Sequence, residues 1–540
     1  MLAVMELRIN SHSWRAAAVV AAACAAWGVA GPASSASAAT PPTPKPAKGH
    51  EADLAVKWGD DTSGESTKAA AGTGKWDPNK DNGALPLLKK QASITDFLAT
   101  KDLLGRPLTG TGVTVALIDT GITPVLGLDA PGKVVNGPDL SFDSQLDSTR
   151  YTDGFGHGTH MAGIIAGSDT TAAAVKTGAK FAGVAPGASL LNMKVAAADG
   201  GADVTQVIAA IDWVVQHRND NGMNVRVINL SYGVHSTQPA AVDPLAKAVE
   251  SAWKNGIVVV ASTGNDGIAN PVLMPAADPY VISVGAVDHE GTADEKDDQV
   301  ASFSNGGDAT RRPDLLAPGK SVVSLRDPGS YVDLAHPEGL VPGDTTGRFF
   351  RGSGTSQATA VVSGAVALML QARPWLTPDQ VKGVLKATAD PLHTYPQPAM
   401  GAGVIDMKDM QKQLALFVPS QDWTRSTGTG SLAATRGGES VADPASGATL
   451  AGETDAMGQP WNAANWAAAS DAGKAWSGGT WNGRTWTGTS WTPQGYGSVA
   501  WTGASWTGTD WQARSWRADS WDARSWRADS WDARSWRGLY

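Results

Sequence analysis

The sequence predicts an α/β fold: three layers, with a mostly parallel central sheet flanked by helices. Two observations predict it. Short aliphatic runs at 190–195, 225–230, 257–261 and 281–286 alternate with helical patterns at 205–218 and 240–255, and uniformly apolar runs of this kind belong to parallel strands covered on both faces. The segment 358–370 is apolar on nearly every face, as a helix inside a domain must be. In chain order, Ser93-Ile94-Thr95-Asp96 opens a helix that runs through Leu104. The aliphatic run 113–118 reads as a buried strand delivering Asp119 at its carboxyl end, where α/β sheets place ligands. Gly156 and Gly158 let the backbone turn tightly around His157 into a helix over 159–166. A helix at 378–388 follows, and the domain closes near 403–406.

Five regions follow from composition. Arg8 and Arg15 precede the apolar stretch 16–30 and the small residues Ala36-Ser37-Ala38, so 1–39 reads as a secretory signal peptide and the mature protein as secreted and extracellular. Its removal also takes Cys24, the only cysteine, leaving a chain that must rely on its core. A lipid-attachment site at 21–24 is the alternative, with alanine in place of the usual large aliphatic. No other stretch resembles a membrane span, so no transmembrane anchor is expected. Residues 40–92 are rich in Pro, Thr, Lys and Gly and read as a linker or pro-region, 93–410 as the main folded domain, and 411–460 as a flexible linker.

The last region, 461–540, is an internal repeat: Trp recurs every fifth residue from Trp461 to Trp536, broken only at Asp471 and Tyr496. Five residues advance a helix by about 140° and do not keep one face of a strand. A β-solenoid and a disordered array both stay open. Stacked indoles with alternating Arg and Asp suit self-association or contact with cell-envelope polymers, and hence retention at the cell surface. Overall charge is modestly acidic, with 43 Lys and Arg against 52 Asp and Glu, and no basic block marks a nucleic-acid partner.

Three strings carry chemistry: VALIDTG with Asp119, GHGTHMAG with His157, and GSGTSQATA with Ser356. A hydroxyl that cleaves peptide bonds needs a base to take its proton and a buried carboxylate to orient that base. Other readings fit poorly. An aspartic protease needs a second carboxylate of the same type, but no second D-T-G or D-S-G occurs. His157 and His160 lack the glutamate of a zinc H-E-x-x-H site. Ser356 is not in a G-x-S-x-G elbow, because Ala358 fills the last position. Gly110 and Gly112 precede their strand, where a dinucleotide fingerprint would follow it. The order Asp, His, Ser remains.

On these strings, the chain from about Ile94 to Asp406 resembles the subtilisin-like (subtilase) serine proteases. GIVVVASTGNDG at 256–267 adds to the likeness. The resemblance implies the subtilisin-like three-layer fold and a serine endopeptidase acting on polypeptide substrates through an acyl-enzyme. It implies Asp119, His157 and Ser356 as the triad, and Asn265 with the Ser356 N–H as the oxyanion hole. It also implies Ser231, Tyr232 and Gly233, and Ser262, Thr263 and Gly264, as two walls of the substrate site, with packing an equal reading for Tyr232. No acidic residue lies in these walls, which favours apolar or broad preference. Ala360 stands where the family usually has proline; no catalytic atom is lost. The chemistry requires no cofactor; structural calcium is open, since no D-x-D-x-D-G string occurs. The alternative function is a non-catalytic binding or scaffold protein acting through the Trp repeats.

Overall fold

The computed structural model describes residues 75–145, 149–170, 180–290, 292, 296–393, 398–408, 410–413, 420–438, 441, 450–486 and 491–492. The expected signal peptide, the first part of the linker and the repeats beyond 492 lie outside the described residues. The elements are α1 (Leu85–Gln91), α2 (Ile94–Leu98), β1 (Thr114–Asp119), β2 (Val134–Asn136), α3 (His157–Ala166), β3 (Ser189–Lys194), α4 (Val204–His217), β4 (Val225–Leu230), α5 (Pro244–Lys254), β5 (Val258–Ser262) and β6 (Ile282–Asp288). There follow β7 (Gln299–Val300), β8 (Leu315–Pro318), β9 (Val322–Leu325), α6 (Tyr331–Ala335), β10 (Phe349–Gly352), α7 (Thr355–Ala372) and α8 (Pro378–Thr388). The C-terminal part adds α9 (Met410–Gln413), α10 (Leu432–Arg436), α11 (Ala463–Asp471), β11 (Trp476–Ser477), β12 (Thr480–Trp481), β13 (Arg484–Trp486) and β14 (Trp491–Thr492).

The α/β class and the parallel sheet agree with the sequence reading. The main sheet runs β2-β3-β1-β4-β5-β6-β7, with β8 also paired to β6, and all pairs are parallel except β6 with β7. The chain passes from β3 across β1 to β4. The order therefore reverses about β1, whose carboxyl end becomes the natural crevice. Every residue of α7 is buried. It packs against β4, β5, β6 and β8 and against α3, so a helix without a polar face becomes the centre of one layer.

The expected helix from Ser93 to Leu104 is shorter. It stops at Leu98, because the Asp102 carboxylate accepts the N–H groups of Leu104 and Arg106 at 2.9 Å and folds the next residues into a turn. Residues 75–92, read as part of a linker, are tied into the fold. Leu85 and Leu88 enter the core, Lys89 Nζ donates to the carbonyls of Ala182 and Gly183, and Asp81 pairs with Arg351.

The described parts of 411–460 differ from a flexible linker. The Arg436 guanidinium reaches buried Asp203 at 2.6 Å and the carbonyls of Gly452 and Thr454. Ser426 N–H meets both oxygens of Glu250. These anchors are polar and far apart in sequence, so no local apolar pattern announces them.

The first Trp units also pack onto the domain. Trp461, Trp466, Trp476 and Trp481 are buried. Asp212 of α4 accepts the indole N–H of Trp466 at 2.8 Å, that of Trp481 at 3.0 Å, and the Ser470 hydroxyl at 3.0 Å. β11, β12 and β13 are joined by two-residue turns with positive φ, Gly478-Gly479 and then Asn482-Gly483, the backbone that tight hairpins prefer. In such a hairpin, residues five apart that flank the turn at one remove stand opposite each other. Trp476 thereby pairs with Trp481 across the first hairpin. Over β11 to β14 the described residues form an antiparallel meander.

Candidate active site

Asp119 is the last residue of β1 and His157 the first of α3. His157 Nδ1 lies 2.6 Å from Asp119 Oδ1, and both side chains are essentially sealed from solvent (0% and 1% exposed). The close approach depends on glycine. A Cβ at Gly158 would stand 2.1 Å from the Gly121 carbonyl oxygen, so any other residue would push α3 off the loop that follows β1. Thr120 N–H donates to Asp119 Oδ1 at 2.8 Å. A carboxylate acceptor at this distance places the ring proton on Nδ1 and so sets the tautomer.

Ser356 is the second residue of α7. Its position relative to His157 follows from how α3 and α7 pack. The Ile165 carbonyl lies 3.3 Å from the Cβ position of Gly364, and His160 Nε2 lies 3.4 Å from that of Gly352 just before α7. The two helices therefore run side by side in the same direction. His157 and Ser356 lie equally far upstream of the Ile165–Gly364 contact, so both stand at the amino-terminal ends, where the helix dipoles and unpaired N–H groups favour developing negative charge.

Asn265 follows β5. Its Oδ1 accepts from Thr355 N–H at 2.9 Å and from the Thr355 hydroxyl at 3.0 Å. With the oxygen held there, the amide donors are turned away from Thr355, and Nδ2 lies 3.4 Å from the Cβ position of Gly354, two residues before Ser356.

Ser231 donates to the Ser356 carbonyl at 3.3 Å. Tyr232 packs: its side chain is 1% exposed within the main core. Ser262 closes β5 and Thr263 is buried after it. Between the two segments lies a residue that sequence reasoning missed. Cβ atoms at Gly233 and Gly264 would stand 2.9 and 2.8 Å from Leu273 Cδ1, so one leucine fills the space between them. Only the absence of side chains at both glycines hinted at it.

Two further carboxylates lie beneath His157. Asp153 Oδ1 accepts from Thr120 Oγ1 and Gly156 N–H, and Oδ2 from Thr159 N–H, each at 2.7 Å. Asp327 accepts only hydroxyls, from Thr123 at 2.7 Å and Thr159 at 3.5 Å. Desolvation and the charge of Asp153 push Asp327 up to about 8, and desolvation also raises Asp153. Backbone N–H donors favour the ionised form, so Asp327 keeps the proton of the pair. Burial and the neighbouring His157 hold His160 down at about 3, which keeps its imidazole neutral. Among the described residues no group of three or more His, Cys, Asp or Glu side chains is arranged to hold a metal ion, and no helix is long and apolar enough to cross a membrane.

Residues 110–423 match the model of the subtilase family. The chain belongs to that family. The subtilase is 36% identical to the serine protease AprX of Bacillus subtilis over 312 residues, 56% of this chain and 67% of AprX. It is 36% identical to subtilisin DY of Bacillus licheniformis over 283 residues, 52% of this chain and 84% of that protein. Against subtilisin Savinase of Lederbergia lenta it is 36% identical over 287 residues, 53% of this chain and 87% of that protein. The subtilase is accordingly a serine endopeptidase, a hydrolase of polypeptides. The family model stops at 423, before the Trp-rich region.

Proposed function

We propose that this subtilase cleaves peptide bonds through Ser356, His157 and Asp119. His157 Nε2 takes the Ser356 proton as Oγ attacks the carbonyl carbon, then returns it to the departing amine. Asp119 holds the ring in the required tautomer and stabilises the imidazolium. The tetrahedral oxyanion is met by Asn265 Nδ2 and the Ser356 N–H, and water hydrolyses the acyl-enzyme in the second half. The observation that carries the reading is the buried 2.6 Å contact of His157 with Asp119 at the end of β1. No metal or organic cofactor enters these steps.

The substrate is a polypeptide laid as an extended strand against the 231–233 and 262–264 segments. Leu273 between them and the absence of acidic residues favour apolar side chains beside the scissile bond. The protein is secreted by its N-terminal segment, and the repeats beyond 492 hold it at the cell surface. A purely scaffolding role is less well supported, because the first Trp units are spent on the domain itself.

A fluorophosphonate tests the reading. It labels the wild type and leaves Ser356→Ala unlabelled; an unlabelled, folded wild type refutes it.

A further inference from the structure

We propose that Asp153 is a positioning residue for the Asp119–His157 pair, a single buried carboxylate that sets the end of β1 and the start of α3 in register. The proposal rests on the triad reading above.

Asp153 reaches both partners. On one side its two oxygens take the N–H groups of Gly156 and Thr159, each at 2.7 Å, and these residues bracket His157. On the other side Oδ1 takes the hydroxyl proton of Thr120 at 2.7 Å. Thr120 follows Asp119 directly. Its hydroxyl also accepts the Gly158 N–H at 2.9 Å, and its own N–H donates to Asp119 Oδ1 at 2.8 Å, the same oxygen that meets His157. One carboxylate thus fixes the backbone on both flanks of the histidine and the residue beside the aspartate.

The direction of the Thr120 hydroxyl matters. Asp119 Oδ1 lies 3.3 Å away from it, a poorer acceptor than Asp153 at 2.7 Å. A hydroxyl has one proton, and Asp153 holds it. If that acceptor is removed, the proton turns toward Asp119 Oδ1 and competes with His157 for the same oxygen.

The surroundings hold Asp153 in place. Its N–H donates to the Thr123 hydroxyl at 3.1 Å, which in turn donates to Asp327 at 2.7 Å. The preceding loop is held by buried Lys194, whose Nζ donates to the carbonyls of Thr149 and Thr152 and to Asp143. Burial works against the charge on Lys194, but Asp143 and Asp139 keep it ionised. The charged or titratable groups that act on Asp153 are Asp119, Asp327 and Lys194.

The test compares Asp153→Asn, Thr120→Val and Thr120→Ser with the wild type in the full chain, with rates divided by the fraction labelled by a fluorophosphonate at its endpoint. Asparagine keeps the shape but must turn its NH₂ toward at least one donor. Misplacing reacting groups by about 1 Å costs about 10²-fold, so kcat per labelled site falls about 10- to 100-fold in Asp153→Asn and Thr120→Val, with KM within about twofold. The acid limb of kcat/KM moves to lower pH, because Asp119 stabilises the imidazolium less well. Thr120→Ser, which keeps the hydroxyl, restores both.

A merely structural role would lower the labelled fraction and leave kcat per site and the acid limb unchanged; that result overturns the proposal. If Asp153→Asn does not fold, the Thr120 pair decides: equal kcat and equal acid limbs for valine and serine overturn it. An unlabelled wild type overturns the triad reading instead.

Discussion

Replacing Asp212 by asparagine should stabilise the protein at neutral pH. This carboxylate is fully buried, and desolvation pushes it up to about 6 despite the indole donors of Trp481 and Trp466 and the hydroxyl of Ser470. Its folded value thus lies well above the usual aspartate value of about 3.8, and a tenfold change in proton affinity is about 1.4 kcal/mol. The folded state binds the proton more tightly than the unfolded state, so unfolding releases a proton and stability falls as pH rises from about 4 to about 6. Above that window the ionised carboxylate costs the fold roughly 3 kcal/mol.

Asparagine copies the neutral acid. Its oxygen, in the place of Oδ2, accepts both indole N–H groups, and its NH₂ faces Ser470, whose hydroxyl can rotate to accept. Asp212→Asn should therefore gain about 2–3 kcal/mol at pH 7.5 and lose the slope between pH 4 and 6. Asp212→Leu leaves two indole donors buried without partners and should be about 2–6 kcal/mol less stable than Asp212→Asn. The assay is urea unfolding across pH in a Ser356→Ala background, which prevents self-digestion. Equal destabilisation by asparagine and leucine at pH 7.5, or an unchanged slope in Asp212→Asn, would refute the reasoning.

Gly158→Ala places a methyl where the Gly121 carbonyl already stands; kcat should fall by about 10²-fold or more as His157 is pushed from Asp119, measured on peptide amides with the labelled fraction as control. Asn265→Leu should lower kcat by about 10²–10³-fold with little change in KM, the known scale for removing one oxyanion donor from a subtilisin. Arg436→Met leaves the buried Asp203 carboxylate without its guanidinium and should cost about 3–5 kcal/mol in urea unfolding; a change under about 1 kcal/mol would show that the 420–460 segment contributes little.

Where a feature depends on neighbours in the chain, the amino-acid sequence by itself determined it. The strand ending on Asp119, the glycines around His157 and the uniformly apolar helix after Ser356 are local patterns, and their spacing allows few alternatives. Tertiary structure alone decided what depends on distant partners. Ser93 to Leu104 carried a helix signal, yet Asp102 captured the backbone N–H groups that would have extended it. Residues 420–438 looked free because glycine, serine and threonine have no apolar period; Asp203 and Glu250, far away in sequence, supply their anchors. The Trp period was visible, but its meaning rested on positive-φ turns and on Asp212, an ordinary surface-type residue by sequence that becomes a buried acceptor only when α4 meets the indoles. Hydrogen bonds of that kind are created by folding, so no stretch of chain holds both halves of them.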